Sequence, residues 1–105
     1  MKDFNVIAKF PEVQGAVLSD PSGALLDVAG NIDGEVAGAV HAYSMKSLGQ
    51  AGELLGLGGI QRTAIVGPTK SVVITIHDQE ILGVYVDPDK PLAAIEKKLQ
   101  DTPKR

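Results

Sequence analysis

The sequence predicts an α+β domain in which a five-stranded antiparallel sheet packs against helices. Three observations lead to this prediction. A Pro- and Gly-containing turn joins two short apolar segments near the N-terminus, three more apolar segments fill the second half of the chain, and one long helical segment lies between the two groups. Strands joined by short turns are antiparallel, and the sheet they form needs helices to cover it. The predicted element order is therefore α-β-β-α-β-β-β-α.

Length and composition indicate one small domain. The 105 residues fit a single domain over residues 1–105, with a core at about residues 4–99 and a frayed tail at 100–105. The chain has no Cys, which excludes disulfides and thiolate metal sites and suits a reducing, cytoplasmic compartment. The N-terminus lacks the apolar segment of a signal peptide, and no apolar run approaches the roughly 20 residues of a membrane helix. We therefore expect no membrane insertion.

The charge distribution disfavours nucleic acid as a partner. The net charge is −3. The one close group of basic residues lies near the C-terminus, at Lys97, Lys98, Lys104 and Arg105. Two Phe and two Tyr are the only aromatic residues, and they do not alternate with basic ones. The chain therefore has no surface on which bases would stack.

The first element is a short helix. Phe4, Ile7 and Phe10 recur at intervals of three. Asp3 is a suitable N-cap, and Pro11 disfavours helical geometry in the residue before it. We predict a helix between Asp3 and Phe10.

A β-hairpin follows this helix. Residues 15–19 and 24–28 are apolar segments that suit strands. The four residues between them match a type I turn, with Asp20 first, Pro21 second and Gly23 fourth. The pattern predicts two antiparallel strands joined at this turn.

The long helix is predicted at about residues 35–55. Asn31 or Asp33 is a suitable N-cap, and Glu35 in the first turn complements the helix dipole. The glycines of residues 56–59 end the helix, because glycine destabilises a helix interior and adopts the backbone conformation of a C-cap.

This helix lacks a polar outer face. Lys46 is the only charged residue between positions 36 and 52. One stripe at steps of three and four contains Val36, Val40, Ser44, Leu48, Ala51 and Leu55. An opposite stripe contains Gly38, Ala42, Met45, Gly49 and Gly52. Since small residues let two helix backbones approach closely, and a helix on a sheet normally has a charged outer face, we expect the second stripe to meet another copy of the chain.

Three strands and a last helix complete the chain. The strands are predicted at residues 63–66, 71–77 and 81–86, and the second of them is rich in β-branched residues. Asp89 is a suitable N-cap for the last helix. Its apolar stripe contains Leu92, Ile95 and Leu99.

Four short motifs resemble ligand or catalytic sites but fit turns better. Residues 67–71 lack the glycine before Lys70 and the following helix that a phosphate-binding P-loop requires. Residues 56–59 close a helix, whereas a dinucleotide-binding glycine motif opens one. Residues 87–98 lack the glycine and glutamate of a calcium loop. Residues 77–80 place a His and two carboxylates in one turn, where they point apart.

The segment VQGAVLSDPSG, residues 13–23, resembles the opening signature of Roadblock/LC7 domains, roughly Val-x-Gly-Ala-x-Leu-x-Asp-x-x-Gly. The predicted element order over residues 4–99 and the glycine-rich exit at residues 54–58 are also similar to that family. The resemblance implies a non-enzymatic module that dimerises through its long helix and third strand, here residues 35–55 and 61–66, to form one continuous sheet. It also implies a regulatory or scaffold role toward Ras-like small GTPases, or a role as a dynein-associated light chain.

These arguments predict an interface formed by Gly38, His41, Ala42, Met45, Gly49, Gly52, Thr63 and Ile65. The expected partners are a second copy of the chain and a Ras-like small GTPase. Two alternatives stay open. An α+β sheet with one open face can also hold a small ligand, which would make the chain a ligand-sensing domain. An enzyme would need catalytic groups that converge on one point, and the sequence offers none. No cofactor is predicted, and a metal site is not expected because the chain has two His and no Cys.

Overall fold

The computed structural model describes residues 4–87 and 95–98, apart from the side chain of His77. It confirms the predicted fold class and element order. The elements are α1 (Phe4–Ala8), β1 (Val13–Ser19), β2 (Leu25–Ala29), α2 (Gly34–Leu54), β3 (Arg62–Val66), β4 (Ser71–His77) and β5 (Glu80–Val86). Residues 95–98 are helical. The rest of the predicted last helix and the predicted tail at 100–105 lie outside the described residues.

The five strands form one antiparallel sheet in the order β2-β1-β5-β4-β3. The last strand, β5, lies at the centre between β1 and β4, with Val84 opposite both Ala16 and Val73. The first hairpin places β2 at one edge, and the second places β3 at the other. Strand β3 therefore has one neighbour, β4, and its other edge is free within the described part of the chain.

Side chains alternate between the two faces along each strand, so both faces of this sheet carry apolar residues. Helices cover both faces. In β5, Leu82, Val84 and Val86 belong to the core on the side of α1. That cluster consists of Ile7, Ala16, Leu18, Val73, Leu82, Val84, Val86 and Ile95. The cluster beneath α2 consists of Ala42, Met45, Ile74 and Ile81, with Ile60, Val72 and Ile76 packed against it.

The predicted turn between β1 and β2 is present and depends on Asp20. The Gly23 N–H donates to the Asp20 carbonyl at 2.9 Å. The Asp20 carboxylate accepts hydrogen bonds from the Ser22 hydroxyl at 2.6 Å and from the N–H groups of Ser22 and Ala24. These bonds, that of the Ser22 hydroxyl above all, lower the pKa of Asp20 below its ordinary value. The turn is thus fixed by the residues that predict it.

Both ends of α2 are capped as the sequence predicts. Asp33 is the N-cap, and its side chain accepts a hydrogen bond from the N–H three residues later. At the other end Gly56 has φ +76° and donates to the Glu53 carbonyl. Leu57 donates to the Gly52 carbonyl at 2.8 Å, which completes a Schellman motif.

The P-loop-like segment is a turn, as expected, because the Gly67 N–H donates to the Lys70 carbonyl and β4 follows directly. Within residues 4–87 and 95–98, no cluster of three or more His, Asp or Glu is placed to hold a metal ion. None of the described helices has the length and apolar character needed to cross a bilayer.

Candidate interface on the long helix and the edge strand

The glycine-rich stripe of α2 faces the sheet of its own chain. The buried residues of α2 are Gly34, Gly38, His41, Ala42, Met45 and Gly52. The prediction that Gly38, Ala42, Met45 and Gly52 lie on the outer face is therefore wrong, and His41 is buried with them. Small residues do permit close approach, but to the sheet: a Cβ at Gly38 would lie 3.1 Å from the Ser19 Cβ. Gly49 is half-buried at the margin of this face.

His41 fixes α2 to the central strand. Its side chain is 3% exposed, and its Nε2 lies 2.6 Å from the Tyr85 hydroxyl. Beneath the imidazole lies Gly83, where a Cβ would overlap the ring. The buried Nδ1 has no hydrogen-bond partner. Gly83 thus provides the space that His41 occupies, and Tyr85 orients the ring.

Burial affects the ionisation of both members of this pair. It lowers the pKa of His41 and raises the pKa of Tyr85, because the apolar surroundings disfavour the charged form of each. On the sheet face beneath His41, the neighbouring β5 positions are Ile81, Gly83 and Tyr85, which offer no carboxylate to an imidazolium. Both side chains are therefore neutral when α2 is seated near neutral pH.

Acidification is expected to weaken folding through His41. The unfolded chain binds a proton near the ordinary His pKa of about 6.5, whereas the folded chain binds it only at lower pH. The stability supplied by neutral His41 is therefore complete above that value and is lost as pH falls through the folded pKa. Urea unfolding of wild type and His41→Gln, measured above and below pH 6.5, checks this. The wild type should lose more stability on acidification than the variant; equal losses would contradict the prediction.

The outer face of α2 is apolar and exposed. Val36 is 59% exposed, Val40 54% and Leu55 74%. They belong to the predicted stripe of Val and Leu opposite the glycines; in that stripe Ser44 is half-buried, and Leu48 and Ala51 are exposed. Tyr43 and Leu54 extend the exposed apolar surface. Because a helix exposing this much apolar surface normally meets another protein, this stripe is the candidate interface.

The edge strand β3 presents two of the predicted interface residues on the face of the sheet that α2 covers. Thr63 pairs with Ile74 and Ile65 with Val72, so Thr63 and Ile65 point to the α2 side. Thr63 is half-buried and Ile65 is 46% exposed. Their accessible positions are compatible with the predicted interface role, which stays a prediction.

Two glycines of α2 are expected to respond oppositely to alanine. A Cβ at Gly49 would meet nothing within 4 Å, whereas one at Gly52 would lie 2.8 Å from the Gly58 carbonyl oxygen. Gly49→Ala should raise the free energy of unfolding by up to about 1 kcal/mol, the helix-propensity difference. Gly52→Ala should lower it by about 1–3 kcal/mol. Urea denaturation of both variants tests this, and equal shifts would contradict it.

Comparison with known proteins rests on structure. No family model and no curated protein matches the sequence. Among solved structures, MglB of Myxococcus xanthus is similar at a TM-score of 0.82 and 22% identity, covering 90% of this chain and 80% of that one. A Roadblock/LC7 domain from Streptomyces avermitilis is similar at a TM-score of 0.80 and 15% identity, covering 91% and 83%.

A third structure agrees with these two. The gliding protein MglB of Thermus thermophilus has a TM-score of 0.78 and 15% identity, covering 92% of this chain and 79% of that one. Each likeness covers most of both chains and occurs at an identity at which only the fold is informative. Together with the segment at residues 13–23, these likenesses identify the fold of the chain as Roadblock/LC7-like.

Proposed function

We propose that the chain forms a homodimer through the exposed stripe of α2 and the free edge of β3, and that the dimer is a regulatory or scaffold module for a Ras-like small GTPase. The observation that carries the proposal is the uncharged stripe of exposed Val and Leu side chains on the outer face of α2. Val36, Val40 and Leu55 are more than half exposed, and the apolar surface continues beyond the helix at Leu57. A surface of this kind is costly to leave in water.

A two-fold arrangement covers both features at once. In a two-fold dimer the same patch of each protomer meets its copy, so β3 pairs with the β3 of the partner in antiparallel fashion. The two five-stranded sheets then become one continuous sheet, and the unpaired N–H and C=O groups of the edge are satisfied. The exposed Ile65 is covered by the same contact.

The similar structures support association of this fold with itself, since one of them is described as MglB with a tetrameric arrangement. The Roadblock/LC7 resemblance at residues 13–23 supports the GTPase as partner. The module would act in the cytoplasm and by binding. If GTP hydrolysis is modulated, the module would act by arranging groups of the GTPase itself. An arginine finger supplied by this chain would have to come from one of its two arginines, Arg62 and Arg105. A guanidinium nitrogen of Arg62 lies 3.9 Å from a carboxylate oxygen of Glu96, so it is engaged in an ion pair within its own chain. The other candidate, Arg105, lies outside the described residues.

Two measurements test the two parts separately. Light scattering at micromolar concentration should give twice the chain mass of 11.0 kDa, and a mass of one chain would refute the dimer. Affinity purification from the native cell should recover a Ras-like GTPase, and the amount recovered should depend on the nucleotide bound to that GTPase. Recovery of a small metabolite and no GTPase would instead favour the ligand-sensing alternative.

A further inference from the structure

A second candidate site lies on the opposite flank of α2, at one end of the sheet. A cavity of about 200 Å³ opens there between the helix, the β1–β2 turn and the ends of β4 and β5. The helix supplies Ala42, Met45 and Lys46 to its wall. Pro21 and the isoleucines at positions 60, 76 and 81 supply the rest. In the described part of the chain, every lining residue except Lys46 is thus apolar.

The cavity reaches the core beneath α2 at a point where the helix presents a small side chain. Ala42 lies in the wall itself. The opening leads directly to Met45 and Ile81, which are 5% and 2% exposed and belong to the core beneath α2.

We propose that this cavity binds a small aliphatic carboxylate. The walls would hold a compact branched hydrocarbon, and Lys46, the only charged residue among the described residues of the lining, would pair with the carboxylate at the rim. An apolar cavity of about 150 Å³ in another protein binds benzene, so the cavity volume of about 200 Å³ suffices for a small branched hydrocarbon.

The cavity is separate from the proposed dimer interface. Successive residues of a helix are about 100° apart, so Lys46 lies about 200° around the axis from Ser44, in the middle of the exposed stripe. A ligand at Lys46 and a second chain at the stripe therefore occupy different sides of the helix. The inference goes beyond the proposed function and fails or succeeds independently of it.

Met45 provides a direct reporter for the test. The chain has only two methionines, Met1 and Met45, so selective ¹³C-methyl labelling gives two signals. Titration with 4-methylpentanoate should shift the Met45 signal in a saturable way, with a millimolar Kd. No saturable shift of Met45 at millimolar ligand would overturn the proposal.

The charge is tested with a neutral ligand and with variants of Lys46. The isosteric 4-methylpentanamide should bind about fivefold more weakly than the acid, because an exposed ion pair adds about 1 kcal/mol at most. Lys46→Gln should weaken the acid about fivefold and leave the amide unchanged, while Lys46→Arg should retain the preference. Equal binding of acid and amide by the wild type would refute the carboxylate assignment.

The hydrophobic part is tested by filling the cavity. Ala42→Leu places a branched side chain in the wall and should weaken the acid at least tenfold; Ala51→Leu makes the same change at an exposed position of the helix and should not. Unchanged binding by a folded Ala42→Leu variant would contradict the site. Should that variant fail to fold, the Lys46 variants decide, since Lys46 is exposed.

Discussion

Gly83→Ala is expected to lower the free energy of unfolding by about 2–3 kcal/mol, a large share of the 5–15 kcal/mol typical of a small domain. A methyl group at this position would overlap the imidazole of His41. The ring is buried and bonded to Tyr85 at 2.6 Å, so it leaves its place only by giving up that hydrogen bond and its packing. Urea denaturation measures the loss.

A double-mutant cycle isolates the cause. His41→Ala removes the ring and creates the space that the new methyl group needs. The loss from Gly83→Ala should therefore be much smaller in the His41→Ala background than in wild type, with a coupling energy above about 1 kcal/mol. Strictly additive losses would mean that Gly83 matters for the strand alone, and the interpretation of Gly83 as the seat of His41 would be wrong.

Val40→Glu is expected to convert the proposed dimer into a monomer. Val40 is 54% exposed in the single chain and lies in the uncharged stripe of α2. In a two-fold dimer every substitution occurs twice, so two carboxylates would be buried together without counter-charges, at a cost of several kcal/mol. Light scattering should then give a mass of 11.0 kDa at micromolar concentration. The folded monomer should keep its circular dichroism spectrum, because Val40 is not part of the core.

Lys46→Glu is the matched control on the same helix. It introduces the same carboxylate on the flank that faces the cavity and, because it also removes an ammonium group, changes the net charge by two units where Val40→Glu changes it by one; it should still leave the dimer mass unchanged. Loss of the dimer in both variants would indicate a general effect of net charge, and retention in both would place the interface elsewhere. Affinity purification with the Val40→Glu variant further separates a GTPase that needs the dimer from one that binds a single chain.

Local chemistry made much of the fold predictable. The turn at Asp20 and Gly23, the N-cap at Asp33 and the glycine exit at Gly56 each depend on residues within a few positions, so the sequence contains all of the relevant information. The β-branched run of β4 is a similar case. The observed strands differ from the predicted ones mainly at their ends, for example at Val13, where the pairing of β1 with β5 extends the strand beyond the apolar segment.

The orientation of α2 could not be obtained in this way. Both stripes of the helix are uncharged, so hydrophobic periodicity alone does not say which of them faces the sheet. The choice depends on the sheet surface, where Gly83 leaves room for His41 and the hydroxyl of Tyr85 meets it. Those residues are more than 40 positions from His41 in sequence, and their pairing follows from tertiary structure. One signal was available: glycines that line up on a helix permit close approach to any neighbour, including the helix's own sheet.

A helix on a sheet must both pack against its own domain and present a surface to the outside. In α2, small residues on the buried face separate these two requirements. The buried face of α2 consists of small residues together with His41 and Met45, while the Val, Leu and Tyr side chains of the helix are all at least 37% exposed. Substitutions at Val36, Val40 or Tyr43 can therefore change what the surface recognises with little effect on folding. Such a helix is suited to diversification: duplicated copies of the gene could acquire different partners, including one another, through a handful of outward residues while the domain beneath them stays the same.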